Sequence, residues 1–176
     1  MKITNTSIEG AFVIELPTHL DARGSFNRMF CKSAFENVGL NVDWVQHNLS
    51  TNPRRFTLRG MHYQVSPFEE IKLVTCVGGR IIDIIIDVRK ESPTYLKTFA
   101  VELESNQNKH VYIPKGVAHG YQTLEDNSSV YYLVSTPYEV QANRGIRYDD
   151  ATFDLSWPAV PSVISESDNS WFDFKI

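Results

Sequence analysis

The stretch TLRGMHYQ, Thr57 to Gln64, sets a fixed cation, a glycine, a histidine and a tyrosine inside a segment that otherwise reads as a β-strand. Successive side chains of a strand point to opposite faces, so Arg59 and His62, three residues apart, should diverge. Either one of them faces solvent, or Gly60 marks a bulge that turns both the same way. The second arrangement aims a positive charge and a titratable base into one cavity. A second polar pattern sits in RIIDIIIDVR, Arg80 to Arg89. There Ile82, Ile84 and Ile86 share one face, and Asp83, Ile85 and Asp87 share the other. The plain reading puts both aspartates in water. The sharper reading is a barrel whose mouth is polar because it holds a ligand. Lys72, in EIKLVTC, would then supply the countercharge that buried carboxylates need.

These residues need a scaffold of short strands. Turn signals recur at short intervals (DARG, STNP, VSPFEE, VGGR, KESPT, ESNQN, PKG, LEDNSS, STPY), with segments rich in Val, Ile, Tyr, Phe and Thr between them. That spacing predicts an all-β sandwich or barrel. SAFENVGL predicts a short helix with Ser33 as N-cap, Glu36 at the third position and Gly39 near its end. A second helical turn is expected near the C-terminus.

The chain of 176 residues is the size of one domain, 1–176, with enough length to bury a core. A net charge of −4 argues against a nucleic-acid surface. Cys31 and Cys76 form no CxxC pair, which predicts reduced thiols in a cytoplasmic protein. MKITNTSIEG lacks the apolar stretch of a signal peptide, and IIDIIIDV is too short and acidic to span a bilayer. No membrane association is expected.

An ordered series of motifs, DARGSF, VQHNLS, LRGMHYQ, KLVTC, DIIIDVRKESPTY, IPKGVAHGYQTL, VYYLVSTPY and LSWP, resembles the dTDP-4-dehydrorhamnose 3,5-epimerase family over nearly the whole chain. The resemblance implies a cupin-type jelly roll, short peripheral helices and a homodimer that exchanges N-terminal strands. It implies a cofactor-free reaction on a nucleotide-diphosphate sugar with a ketone at C4. A base removes the acidified proton at C3 or C5, the resulting enolate is stabilised, and an acid returns a proton to the opposite face.

By that resemblance His62 is the base and Asp168 its orienter, with Asp83 the competing orienter. Lys72 stabilises the enolate. Tyr132 is the acid, since an unperturbed phenol, with a pKa of about 10, arrives protonated. Tyr131 points the other way and packs. Arg23 and Arg59 suit the diphosphate, because a guanidinium matches phosphate geometry. Arg23 would reach the neighbouring subunit's site. Phe26, Gln46 and Asn48 match positions lining the nucleotide pocket, and Tyr138 borders sugar or nucleotide. His119, in PKGVAH, completes half of a metal-cupin pattern whose other half is absent, so no metal is expected. It is expected to hydrogen-bond the sugar or the base dyad instead.

Three departures from the family pattern fall towards the nucleotide. Arg28 and Asn143 stand where carboxylates are usual, and Ser167 stands where a lysine is common. They suggest GDP or CDP in place of dTDP, or a different sugar such as a 4-keto heptose. Whether C3, C5 or both are inverted is left open. A 3,4-ketoisomerase or a non-catalytic sugar-binding cupin on the same scaffold are the alternatives.

Overall fold

The computed structural model describes residues 1–176. Strands β1 (Lys2–Asn5), β2 (Phe12–Glu15), β5 (Gln46–Asn52), β7 (Lys72–Gly78), β10 (Lys109–Ile113) and β12 (Ser128–Val134) form one sheet, in the order β1-β2-β10-β7-β12-β5. Strands β6 (Leu58–Gln64), β8 (Arg80–Asp87), β9 (Thr98–Glu104), β11 (Val117–Thr123) and β13 (Asn143–Gly145) form a second, in the order β13-β6-β11-β8-β9. A separate hairpin joins β3 (Thr18–Asp21) to β4 (Gly24–Asn27). All pairings within both sheets are antiparallel, and consecutive strands repeatedly cross from one sheet to the other. This is the all-β architecture expected from the spacing of turns, and the jelly roll that the family resemblance implied.

Both faces of each sheet are covered, and the alternation along each strand feeds different cores. Val74, Ile81, Ile85, Val111 and Val130 meet between the sheets. Ile14, Leu73 and Leu133 point outward and are sealed by Phe35. Met61, Ile84, Ile86 and Ala118 point outward from the second sheet and are sealed by Ile146 and Phe153 of the C-terminal segment. Burying the outer face with the inner one explains why β8 carries six isoleucine and aspartate side chains with almost no exposure: Ile81, Asp83, Ile84, Ile85, Ile86 and Asp87.

Of the two readings of β8, the solvated face fails: Asp83 is 1% and Asp87 0% exposed. Two other expectations are corrected by the fold. Asp87 is held by Arg89, Ser92 and Thr94, so Lys72 is not its countercharge. The short helix α1 spans Lys32–Glu36 with Cys31, not Ser33, as N-cap. Cys31 has the extended backbone that opens a helix, and Ser33 sits inside the first turn with its hydroxyl 3.5 Å from Cys31 Sγ. Gly39 does lie just past the helix end with φ of +73°. A second helix, α2, spans Glu166–Asn169.

Candidate active site

The site begins with the bulge. On β11, His119 pairs with His62 and Tyr121 with Arg59, so one residue of β11 faces two of β6. The extra residue turns Arg59 and His62 to the same side, as the odd spacing required. Gly60 and Gly120 make this possible by letting the backbones meet. A Cβ on Gly60, whose φ is +116°, would stand 2.5 Å from Gly120 Cα.

The C-terminal segment brings the orienting carboxylate. It runs beside β6, where Leu58 N–H donates to Val163 O at 2.9 Å. Ser165 then caps α2 by accepting from Asp168 N–H at 3.0 Å. Asp168 is buried at the entrance, with Oδ1 2.6 Å from His62 Nε2 and Oδ2 accepting from Gly60 N–H at 3.1 Å. Burial alone would raise the Asp168 pKa. The hydrogen bonds from His62 and Gly60 outweigh it and hold the carboxyl below its ordinary value. With Nε2 facing the carboxylate, Nδ1 is the ring nitrogen without a partner in the chain.

The opposite sheet supplies the other groups. Lys72, on β7, donates from Nζ to the His62 carbonyl at 3.1 Å and forms an ion pair with Glu70 Oε1 at 3.0 Å. Its partner is therefore Glu70, not either aspartate of β8. Tyr132, on β12, is half-buried against the inner core. Burial pushes its phenol above the ordinary value of 10.0, and the nearby Arg59 guanidinium offsets only part of that. Tyr131 points outward, as expected, with its hydroxyl 3.0 Å from His47 Nδ1.

His62, Lys72, Tyr132, Asp168, Asn48, Arg59 and His119 all border one cavity of about 870 Å³. Gln46 and Tyr138 border an adjoining lobe of about 310 Å³, which shares Asn48, His62, Lys72 and Tyr132 with the first. Asn143 and Ser167 line that lobe too. Arg23, Phe26 and Arg28 do not reach the cavity of their own chain. Arg23 and Phe26 lie on the exposed β3–β4 hairpin, where Arg23 pairs with Asp21 at 2.5 Å, and Arg28 follows it.

Asp83 is not the orienter of His62. Its Oδ2 lies 2.7 Å from His119 Nε2, because β8 flanks β11 on the side away from β6. His119 is thus tied to Asp83 and not to the base dyad. No three His, Cys, Asp or Glu side chains gather as a metal-binding group.

Several residues that line the cavity or stand just behind its wall escape sequence reasoning. Arg59 Nε donates to Asn52 Oδ1 at 2.8 Å, Asn52 Nδ2 donates to the Tyr121 hydroxyl at 3.3 Å, and that hydroxyl donates to Ser50 Oγ at 2.9 Å. Ser50 and Asn52 lie in STNP, which reads as a turn. Pairing with Val130 and Ser128 keeps β5 extended up to Pro53 instead. Glu70 gives no sign in the sequence beyond standing two residues before Lys72.

A cupin-type jelly roll that gathers a histidine paired with a buried carboxylate, a phenol and a lysine around one cavity has the side chains that acid–base chemistry requires. Residues 5–175 match the family model described as dTDP-4-dehydrorhamnose 3,5-epimerase. The chain belongs to that family of isomerases. It is 35% identical over 169 residues to the dTDP-4-dehydrorhamnose 3,5-epimerase of Shigella flexneri, covering 96% of this chain and 93% of that one. The solved structure of the Bacillus anthracis enzyme with TDP and pyrophosphate bound is similar, with a TM-score of 0.95, 30% identity, and coverage of 98% and 99%. A 3′-monoepimerase from Streptomyces bikiniensis in complex with dTDP-quinovose has a TM-score of 0.89 at 29% identity, covering 96% of this chain and 85% of that one.

Proposed function

We propose that this chain inverts C3, C5 or both of a nucleotide-diphosphate-linked 4-keto sugar. The observation that carries the reading is the 2.6 Å contact between His62 Nε2 and Asp168 Oδ1, in one cavity with Lys72 and Tyr132. His62 Nδ1 takes the proton beside the ketone. The electron pair moves onto the C4 oxygen as an enolate, which the Lys72 ammonium stabilises. Tyr132, on the opposing sheet, returns a proton to the other face of that carbon, and solvent re-equilibrates the two side chains. Arg59, His119, Asn48, Gln46 and Tyr138 bind the substrate.

The bound ligands of the Bacillus and Streptomyces structures support a nucleotide diphosphate as the handle. Asn143 and Ser167, which depart from the family pattern, both line the lobe beside Tyr138. That placement supports GDP or CDP in place of dTDP as the handle, or a bulkier sugar such as a 4-keto heptose. Calorimetry that finds dTDP bound more tightly than GDP and CDP would remove the nucleotide part.

The active form is a homodimer with exchanged N-terminal strands. The β3–β4 hairpin pairs with neither sheet and exposes Leu20 (79%) and Phe26 (63%). Strand β5 is an edge strand whose Leu49 is 61% exposed. Docking one on the other covers both, and it carries Arg23, Phe26 and Arg28 to a second copy's cavity. The pathway is surface-polysaccharide precursor synthesis in the cytoplasm. No helix is long and apolar enough to cross a membrane.

The test is NMR of dTDP-, GDP- and CDP-linked 4-keto sugars in D₂O with the purified protein. Deuterium at C3, C5 or both is the expected result and names the carbons. No exchange with any of them would overturn the reading.

A further inference from the structure

Glu70 stands outside the acid–base set, yet it is buried against it. Its side chain is 7% exposed, and Oε1 lies 3.0 Å from Lys72 Nζ in an ion pair. Oε2 is buried with no partner in the chain. The Lys72 ammonium is thus the one countercharge of this carboxylate, and a buried charge served so sparingly is costly. An apolar side chain would fill the same space without that cost, so packing does not account for a carboxylate here.

The turn that carries Glu70 is clamped on both sides. Thr136 Oγ1 donates to Glu69 O at 2.9 Å, and Ile71 N–H donates to Ser135 Oγ at 2.8 Å. Ser135 N–H in turn donates to Ile71 O at 3.0 Å. Glu70 is therefore held by the end of β12, the strand that bears Tyr132.

An ammonium has three donors and rotates freely about its last bond unless its neighbours stop it. Lys72 donates to the His62 carbonyl at 3.1 Å and forms an ion pair with Glu70 Oε1 at 3.0 Å. The carbonyl and the carboxylate together hold the ammonium in place and restrict where its remaining N–H groups point. Lys72 borders both the main cavity and its lobe, so that restriction acts where the substrate binds.

We propose that Glu70 is the positioning residue for Lys72. It fixes the ammonium so that one N–H remains aimed at the ketone oxygen as that oxygen becomes an enolate. The inference rests on the role given to Lys72 above.

The experiment measures kcat and KM for solvent-deuterium wash-in, with a melting temperature for each folded variant. The variants are E70A, E70Q, K72M and the double variant E70A/K72M. E70A is expected to lower kcat by about 10- to 100-fold, the cost of misplacing one catalytic group, with KM changed less than about two-fold. E70Q retains an amide oxygen that accepts from Nζ, so it should lose less than E70A and covers the case in which E70A folds poorly. In the K72M background E70A should cost nothing more in kcat, because the group it positions has gone. A full further loss in that background overturns the proposal. So does a raised KM at unchanged kcat, which would make Glu70 a direct substrate ligand. So does a lower melting temperature with kcat intact. If K72M itself exchanges at the wild-type rate, the role of Lys72 fails and this inference falls with it. If K72M is impaired and E70A and E70Q are not, Glu70 alone is eliminated.

Discussion

His62 and Asp168 lie 106 residues apart in the chain, yet Nε2 and Oδ1 approach to 2.6 Å. The other oxygen of Asp168 takes the Gly60 N–H, so one carboxylate grips both the base and the bulge that aims it. D168N removes the charge and keeps the shape. It should lower deuterium wash-in by about 10²- to 10⁴-fold, since the imidazole loses its preferred tautomer and its stabilised cation. The stability effect has a definite sign. The folded pKa of Asp168 is below the ordinary 3.8, so its contribution is present above that value and is lost as pH falls through the folded one. The melting-temperature gap between D168N and wild type should be full at neutral pH and close on acidification below pH 4. A gap that widens with acid would contradict the assignment.

Tyr132 and His62 approach the cavity from opposite sheets, which separates their roles. H62A should abolish wash-in at every carbon. Y132F should permit abstraction and spoil inversion, leaving deuterium incorporation in unepimerised substrate. Since burial raises the Tyr132 pKa, the phenol remains a proton donor throughout the neutral range. Normal epimerisation by Y132F, read by NMR of the product, would move the donor to water or another side chain.

What the sequence shows depends on whether the cause is local. The bulge is legible because a regular strand cannot aim two residues at odd spacing to one face, and the glycine between Arg59 and His62 supplies the freedom to do so. The faces of β8 are legible in the alternation of Ile82, Ile84 and Ile86 against Asp83, Ile85 and Asp87. Which face is buried is not, because both are: the C-terminal segment covers one and the facing sheet the other. That double cover keeps the aspartates from water, and alternation along one strand carries no sign of it. The capping pattern at Ser33 and Glu36 misleads by two residues, since nothing local tells the chain to begin its turn at Cys31. Asp168 is legible only through the family resemblance, and the pairing of Asp83 with His119 depends on strand order across the sheet. Glu70 gains its meaning only in three dimensions, where Lys72 turns back onto it.

Gly60 and Gly120 give the most direct test of the bulge. G60A places a methyl 2.5 Å from Gly120 Cα and 2.8 Å from His119 O, backbone atoms that cannot swing aside. The strands must part or the bulge must flatten, and flattening sends Arg59 and His62 to opposite faces. The variant should lose wash-in activity by more than ten-fold and melt several degrees lower, by roughly the 1–3 kcal/mol typical of overpacking. A G60A protein with wild-type activity would show that the bulge does not aim the base.

Asp87 supplies a stability test away from the chemistry, since it borders neither the cavity nor its lobe. Burial pushes its pKa up. Hydrogen bonds from Arg89, Ser92, Thr94 and the Arg89 N–H overcome that and hold it at about 2. A folded pKa below the ordinary 3.8 means stability that is complete above pH 4 and disappears as pH falls through about 2. The size of the shift corresponds to about 2 kcal/mol at neutral pH, or about 5 °C in melting temperature for a chain this long. D87N should therefore melt about 5 °C below wild type at pH 7, and the difference should shrink steadily between pH 4 and pH 2. Its kcat at 25 °C should stay within about two-fold of wild type, because substitutions remote from the reacting groups act on the folded fraction and not on the barrier. A D87N enzyme of wild-type stability would mean that the Arg89, Ser92 and Thr94 bonds only offset the cost of burying the charge. A large fall in kcat at full folding would mean that this end of β8 reaches the site through His119, two strand positions from Asp87's partner Val117.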